Sequence, residues 1–410
     1  MEFTGCKLEF KLNPQSPLIH FQPDEAGATV RATELKPKLD KFLIEKFKRK
    51  NIQYKAWVSK ENDNTKAEAL DYKVRISAGA TLYKVAVGIS YSKKKNTTES
   101  YSIYYGNMGD DTIPKAGIIS YPIVTIICFK SGLREQIVRY IHEFFYVTNF
   151  GTMQNKGFGG FLIDGDTPSE EKLIKAFRSK GAKGIYRMDF KGAPISLGGA
   201  EPNYAISIKM FENIKRFYSV MKSGQNFSGF GRGYARSYLF KYMHENFEID
   251  NEKAWMKEKG ISPNVEINHT RDVYQENPRP RYVRALFGKG DKVDYFKNRN
   301  LRKDEKVSIE IKSNTKSIER IPSVIQFKVI GRYIYILGMK VPEILYDKEF
   351  VFDGYTKDNK LRTPSHQDFE KTAGEFPMKD FLDKYVDYYN GQCRNDLNDM
   401  RRYEKVVKCE

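Results

Sequence analysis

The feature that most restricts the fold of this chain is how its hydrophobic pattern switches between strand and helix spacing over the first 165 positions. "CKLEFKLN" (6–13) alternates apolar and polar residues as a half-buried strand does, and it ends at the turn signal Asn13-Pro14. In "LKPKLDKFLIEKFKRK" (35–50), Leu35, Leu39, Phe42, Leu43 and Phe47 form an apolar stripe at helical spacing. Thr33 is placed to cap that helix, and Pro37 fits only within its first turn. Residues 70–92 carry a strand pair in which Val85, Val87, Ile89 and Tyr91 alternate with smaller residues, before the basic loop "SKKKNTTES". "GIISYPIVTIICF" (117–129) is a continuous apolar run, the pattern of a strand buried on both faces. "SGLREQIVRYIHEFFYVTNF" follows as an amphipathic helix, with Ile137, Ile141, Phe144, Phe145 and Phe150 on or near one face, and "GGFLIDG" closes as a strand.

Strand, helix, strand pair, strand, helix, strand is the split β-α-β plan of a ferredoxin-like, RRM-like domain. The expected fold is therefore α+β with antiparallel sheets. At 410 residues the chain calls for two or three domains. The second half repeats the theme less cleanly. A charged stretch (165–183) precedes the strand and turn "KGIYRMDFKGAPISLGG", and two helices follow at 203–223 and 233–247. "SVIQFKVIGRYIYIL" (323–337) reads as a hairpin turning at Gly331-Arg332, and the tail from Lys379 as a terminal helix. The expected boundaries are 1–165 for a first ferredoxin-like domain, 166–340 for a divergent second one with a helical insertion, and 341–410 for a helical extension.

Seventy Lys and Arg face 52 Asp and Glu, a net charge of +18, which sets up a field that draws in polyanions, nucleic acid foremost. Apolar runs such as "IVTIICF" are far too short to span a membrane, and the start of the chain reads as a strand, not a signal peptide. Cys6, Cys128, Cys393 and Cys409 have no paired spacing, so neither disulfides nor a zinc site is expected, and a reducing cytoplasm fits best. His142 and His244 each precede a Glu without completing a zinc-protease motif, and no phosphate-binding P-loop or serine-hydrolase elbow occurs. "GDD" (109–111) can hold a cation or be an ordinary turn. Neither a cofactor nor a metal is called for.

"MQNKGFGGFLIDG" (153–165) is the most distinctive stretch. Read plainly, its glycines end a helix and start a strand. Read functionally, Gly157, Gly159 and Gly160 bring main-chain N–H groups close to phosphates, with Lys156 beside them. A second glycine-aromatic basic loop, "SGQNFSGFGRGYARS", holds Phe230, Arg232 and Arg236. In "NPRPRYVRALFGKGDKVDYFKNRNLRK" (277–303) nine Lys or Arg face two Asp, with Tyr282, Phe287, Tyr295 and Phe296 interleaved. Basic residues with interleaved aromatics suit single-stranded nucleic acid, in which bases can stack on rings. The alternative is that the aromatics are core and the charges a solvated face. Phe158 and Phe230 divide the same way, between base stacking and loop anchoring.

"SPLIHFQPDEAGATVRATELKPKLDKFLI" (16–44) resembles the opening of RAMP proteins, the RNA-binding subunits of CRISPR effector complexes, with Arg31 to Lys36 at the family's basic helix start. "NKGFGGF" resembles the family's glycine-rich loop, although Lys156 stands where the family often has Arg. "RYVRALFG" (281–288) and "IERIPSVIQFKVI" (318–330) look like the second RAMP unit of Cmr-type (type III-B) subunits. The resemblance implies tandem RAMP domains in a cytoplasmic ribonucleoprotein. Its partners would be guide RNA near the 3′ end, target RNA, and other RAMP subunits. The residues it points to are Arg31, Lys36, Lys38, Lys156, Gly157, Phe158, Gly159, Gly160, Phe230, Arg232, Arg236, Arg279, Arg281 and Arg284. It carries over neither a catalytic Asp nor the histidines of guide-processing nucleases, so a binding subunit is expected. Two alternatives are a metal-independent endoribonuclease with His20 as acid or base, and a basic scaffold that binds only protein.

Overall fold

The computed structural model describes residues 1–20, 28–59, 68–79, 82–88, 115–192, 205–226, 234–235, 237–252, 255–256, 279–288, 292–296, 306–313, 323–353, 359–395 and 404–409. The chain groups into two compact units. One comprises Met1–Lys215, Gln326–Leu337 and Val406–Glu410, the other Arg216–Ile325 and Gly338–Lys405.

The first unit opens with β1 (Glu2–Thr4), β2 (Lys7–Pro14), β3 (Leu18–Ile19), α1 (Ala32–Arg49), β4 (Lys73–Ser77), β5 (Leu82–Gly88), β6 (Lys115–Ser120), β7 (Ile123–Ile127), α2 (Ser131–Val147) and β8 (Phe161–Ile163). Its principal sheet is antiparallel, in the order β8-β2-β7-β4, with β1 against the start of β2. Strands β2, β4, β7 and β8 with α1 and α2 give the β-α-β-β-α-β order read from the sequence. Leu8, Phe10 and Leu12 of β2 and Val124 and Ile126 of β7 share one buried core with Leu35, Leu39, Leu43 and Phe47 of α1 and Ile137, Ile141, Phe144 and Phe145 of α2. Burial of each such side chain contributes roughly 1.5–3 kcal/mol, which is why the apolar stripes determine the layering.

Three local expectations change. The run 117–129 is not one strand buried on both faces, because it breaks at Tyr121-Pro122 into β6 and β7. Strand β7 alternates: Val124 and Ile126 are buried in the core shared with α1 and α2, while Ile123, Thr125 and Ile127 are half-buried on the other face. Strands β4 and β5 do not pair with each other. β4 joins β7, whereas β5 pairs with β6 in a separate sheet, β3-β6-β5. The N-cap of α1 is Arg31, not Thr33, and Pro37 lies in the second turn. Pro37 removes a main-chain donor there, and the i,i+4 ion pairs Lys38–Glu34 and Lys36–Asp40 straddle it. Ile89, Tyr91, "SKKKNTTES" and "GDD" lie outside the described residues.

The chain continues through α3 (Glu170–Lys180), β9 (Ala182–Asp189), α4 (Ala205–Lys222), β10 (Gln225–Asn226), β11 (Tyr234–Ala235), α5 (Tyr238–Phe247), β12 (Asp250–Asn251), β13 (Pro280–Arg281), β14 (Lys292–Phe296) and β15 (Lys306–Ser313). It ends with β16 (Ile325–Ile330), β17 (Tyr333–Met339), β18 (Glu349–Asp353), β19 (Lys360–Arg362), α6 (Met378–Asn395) and β20 (Val406–Lys408). The sheet β16-β17-β9-β20, threaded β9-α4-β16-β17-α6-β20, repeats the connectivity of the first. Helix α3 lies in the stretch read only as charged. Its signals are ordinary ones, Ser169 accepting from the Lys172 N–H at the start and Gly181 at φ 103° at the end.

The second unit pairs β14-β15-β18-β19 and has an aromatic core. Tyr242 packs edge-on against Phe381, and Phe287 against Phe376. The Tyr385 hydroxyl donates to the Phe217 carbonyl at 2.6 Å and that of Tyr242 to Asp380 at 2.6 Å. Tyr282 and Phe287, two of the aromatics read as interleaved with charge, are 2% and 0% exposed and belong to this core. No helix among the described residues is long and apolar enough to cross a membrane.

Candidate nucleic-acid interface

The glycine stretch folds inward. Gly157, Phe158, Gly159 and Gly160 are all buried. The Gly159 N–H donates to the Pro17 carbonyl at 2.8 Å, the Gly160 N–H to the Ser16 hydroxyl at 2.8 Å, and that hydroxyl donates to the Gly157 carbonyl at 2.7 Å. These amides are committed within the chain and point at protein acceptors. Gly159, at φ 68°, is required sterically, since a Cβ there would lie 1.9 Å from the Phe150 carbonyl oxygen. The Phe158 ring is stacked on Phe211, with centroids 3.8 Å apart and planes 7° apart, which is the anchoring arrangement. Lys156 is half-buried, with its ammonium over the Phe327 ring at 5.9 Å.

Most of the cations singled out in the sequence have partners inside their own unit. Lys36 reaches Asp40 at 2.7 Å and the Leu70 carbonyl at 3.0 Å. Lys38 donates to Glu34, the Asn149 carbonyl and Gln154, at 2.7, 2.8 and 2.6 Å, which accounts for all three of its protons. In the second unit, Arg281 is held by buried Asp368 at 3.0 Å, and Arg279 approaches the same carboxylate at 3.7 Å. Arg284 forms a buried ion pair with Glu252, which also accepts from the Val283 N–H. Arg31 is exposed at the start of α1. Phe230, Arg232 and Arg236 lie outside the described residues.

Two lysines the sequence reading passed over join Lys38 at the end of α2. Lys180 donates to the Val147 carbonyl at 2.6 Å and Lys328 to the Thr148 carbonyl at 2.6 Å, next to the Asn149 carbonyl taken by Lys38. Three ammoniums thus take three successive carbonyls at the end of α2, that of Val147 within it and those of Thr148 and Asn149 just beyond, where the helix dipole favours cations. Burial, then the neighbouring Lys38, brings the Lys180 ammonium down to about 8. Lys328 is driven well below the ordinary lysine value by burial and then by Lys180 and Lys38.

Cations without such partners occur on the face of the principal sheet opposite the helices. Register places Lys7, Ile127 and Lys73 in one row, Glu9, Thr125 and Arg75 in the next, and Lys11, Ile123 and Ser77 in the third. Lys7, Lys11, Lys73 and Arg75 are exposed. Lys7 pairs with Glu9 at 2.8 Å, and this hydrogen bond, then that from Thr125, lowers the Glu9 carboxyl below its ordinary value. Among the described residues no carboxylate pairs with Lys11, Lys73 or Arg75, and Lys11 sits over the Tyr121 ring at 5.2 Å. Four cations against one carboxylate leave a surplus of three positive charges on a half-apolar floor. The signal was present in the sequence as basic residues at the outward positions of "KLEFKL" and "KVR".

The histidines are distributed elsewhere. His20 follows β3, next to the pairing of Ile19 with Thr152. The His142 Nδ1 lies 2.6 Å from Asp166, which also accepts from the Tyr146 hydroxyl at 3.1 Å. His244 lies 3.4 Å from Asp250. Among the described residues no group of three or more His, Cys, Asp or Glu is placed to hold a metal ion.

Residues 5–225 match the family model of the Cmr1 N-terminal domain, and residues 234–406 match that of the Cmr1 C-terminal domain. No curated protein matches the chain.

Proposed function

From a chain that belongs to the Cmr1 family, subunits of type III-B CRISPR effector complexes, we propose a subunit that holds the guide-RNA backbone without cutting it, through the open face of its first sheet. The observation that carries this reading is the row pattern of Lys7, Lys11, Lys73 and Arg75, three of which have no carboxylate partner among the described residues. Neighbouring outward positions along a strand are about 6.6 Å apart and neighbouring strands about 4.8 Å apart. The four charges therefore lie close enough together to act on one short run of phosphates. Lysine and arginine hold phosphates by charge and hydrogen bonding. Among the described residues the paired rows of this face carry no imidazole to move protons near neutral pH.

The buried glycine stretch connects α2 to β8, the strand that pairs with β2 at the edge of this sheet. Arg31, exposed at the start of α1, is a further candidate for a phosphate contact. The test is binding of a single-stranded guide-length RNA to the full chain and to its Lys11→Glu/Lys73→Glu/Arg75→Glu variant. RNA length is followed on a denaturing gel in the same samples. Weakened binding with intact RNA is the expected result. Equal binding by the two proteins removes the sheet face as the site, and shortened RNA removes the non-cutting role.

A further inference from the structure

We propose that Phe129 is a stacking platform for an unpaired base, so that the open sheet face selects single-stranded over double-stranded RNA. This rests on the reading that the face binds RNA, and adds to it the residue that discriminates between the two forms.

Outward residues along β7 recur at Ile123, Thr125 and Ile127, and Phe129 continues the alternation. Cys128 keeps the inward register at 1% exposure, and its N–H donates to the Cys6 carbonyl at 2.9 Å, so the ladder with β2 extends past the strand's last residue. Beyond this bond the chain reverses at the Gly5-Cys6 turn between β1 and β2, so Phe129 stands just past the end of the paired rows. Asp71 is turned to Lys130 at 3.1 Å. The ring is 80% exposed.

The main chain that presents it is fixed. Lys130 donates to the Ala56 carbonyl at 2.6 Å, and Arg134 donates to the Cys128 carbonyl at 3.4 Å. One row away, Lys7 and Lys73 flank Ile127 on either side. A flat apolar ring beside a pair of exposed cations is the arrangement that takes a base on its face and the adjoining phosphates on its flanks. In a duplex both faces of each base are already stacked on neighbours, so the ring has nothing to receive. Charge complementarity favours an RNA strand over a protein as the occupant: the rows next to the ring carry Lys7, Lys11, Lys73 and Arg75 against Glu9, Asp71 is taken by Lys130, and three of the four cations have no acid partner among the described residues.

The test uses the full chain, a single-stranded RNA and the blunt duplex of the same sequence, with Phe129→Ala, Phe129→Trp and the charge variant Lys11→Glu/Lys73→Glu/Arg75→Glu. Phe129→Ala is expected to weaken single-strand binding on the order of tenfold, the range of one base stack, with duplex affinity and salt dependence unchanged. Phe129→Trp should retain binding, and thermal unfolding should be unaltered in both. Single-strand binding unchanged in Phe129→Ala but lost in the charge variant overturns the stacking role and leaves the RNA face standing. Equal losses for single strand and duplex also overturn it. Unchanged binding in every variant overturns the stacking role and the RNA face together. So does a wild-type chain that binds neither RNA but loses a purified partner subunit on Phe129→Ala, because the ring is then a protein contact.

Discussion

Replacing Lys11, Lys73 and Arg75 together by Gln should change how RNA binding responds to salt, and the size of that change can be worked out in advance. Each phosphate contact to single-stranded nucleic acid contributes about −0.7 to the slope of log K against log salt. Three exposed cations without carboxylate partners among the described residues therefore account for a slope of about −2.1. At 0.1 M salt that corresponds to roughly a hundredfold in affinity, or about 2.9 kcal/mol, and at 0.3 M to only about twelvefold. The variant should thus approach the wild type as salt rises and meet it near 1 M. Fluorescence anisotropy of a labelled single-stranded RNA across this range gives both slopes. Parallel lines, with the variant weaker by a constant factor, would refute the reasoning, because lost counterion release cannot produce a constant offset. All three side chains are exposed, so thermal unfolding should stay within about 0.5 kcal/mol of wild type.

Gly159→Ala should destabilise the first unit by several kcal/mol, since the added Cβ would lie 1.9 Å from the Phe150 carbonyl oxygen at positive φ; a melting temperature within a degree of wild type would contradict this. Glu252→Gln should destabilise by about 3–5 kcal/mol, because it leaves the buried Arg284 guanidinium without its counter-charge; urea unfolding measures it. For Lys180 the native ammonium titrates at about 8 while the unfolded one titrates at 10.5. Between those values the unfolded chain binds more protons, so stability rises with pH. The wild type should gain on a Lys180→Met variant from pH 8 to 10, and denaturation midpoints at the two ends test this. Above about pH 10 the buried hydroxyls of Tyr72 and Tyr242, both pushed up by burial, reverse the trend.

Periodicity carried most of the fold. The alternation in Lys7–Pro14 and the stripe Leu35, Leu39, Leu43, Phe47 are local patterns, and they placed a strand and a helix where the structure has them. The second β-α-β-β-α-β thread was harder to count, because about a hundred residues separate α4 from β16 and the last strand, β20, lies beyond α6. The apolar run 117–129 misled because a strand's two faces are distinguished by what packs on them, and nothing local announced that α1 and α2 pack on the Val124 and Ile126 side of β7.

The candidate interface divides along the same line. The sequence by itself determined the layering, the family resemblance and the +18 charge, all of which follow from composition and short-range spacing. Only the tertiary structure decided which charges are neutralised. Lys38 meets the Asn149 carbonyl across 111 positions and Arg281 meets Asp368 across 87. Lys73 and Arg75, no more basic to the eye, meet no carboxylate among the described residues. Whether a cation faces outward with its charge unspent depends on a partner supplied by a distant part of the chain. A one-dimensional pattern does not contain that distance.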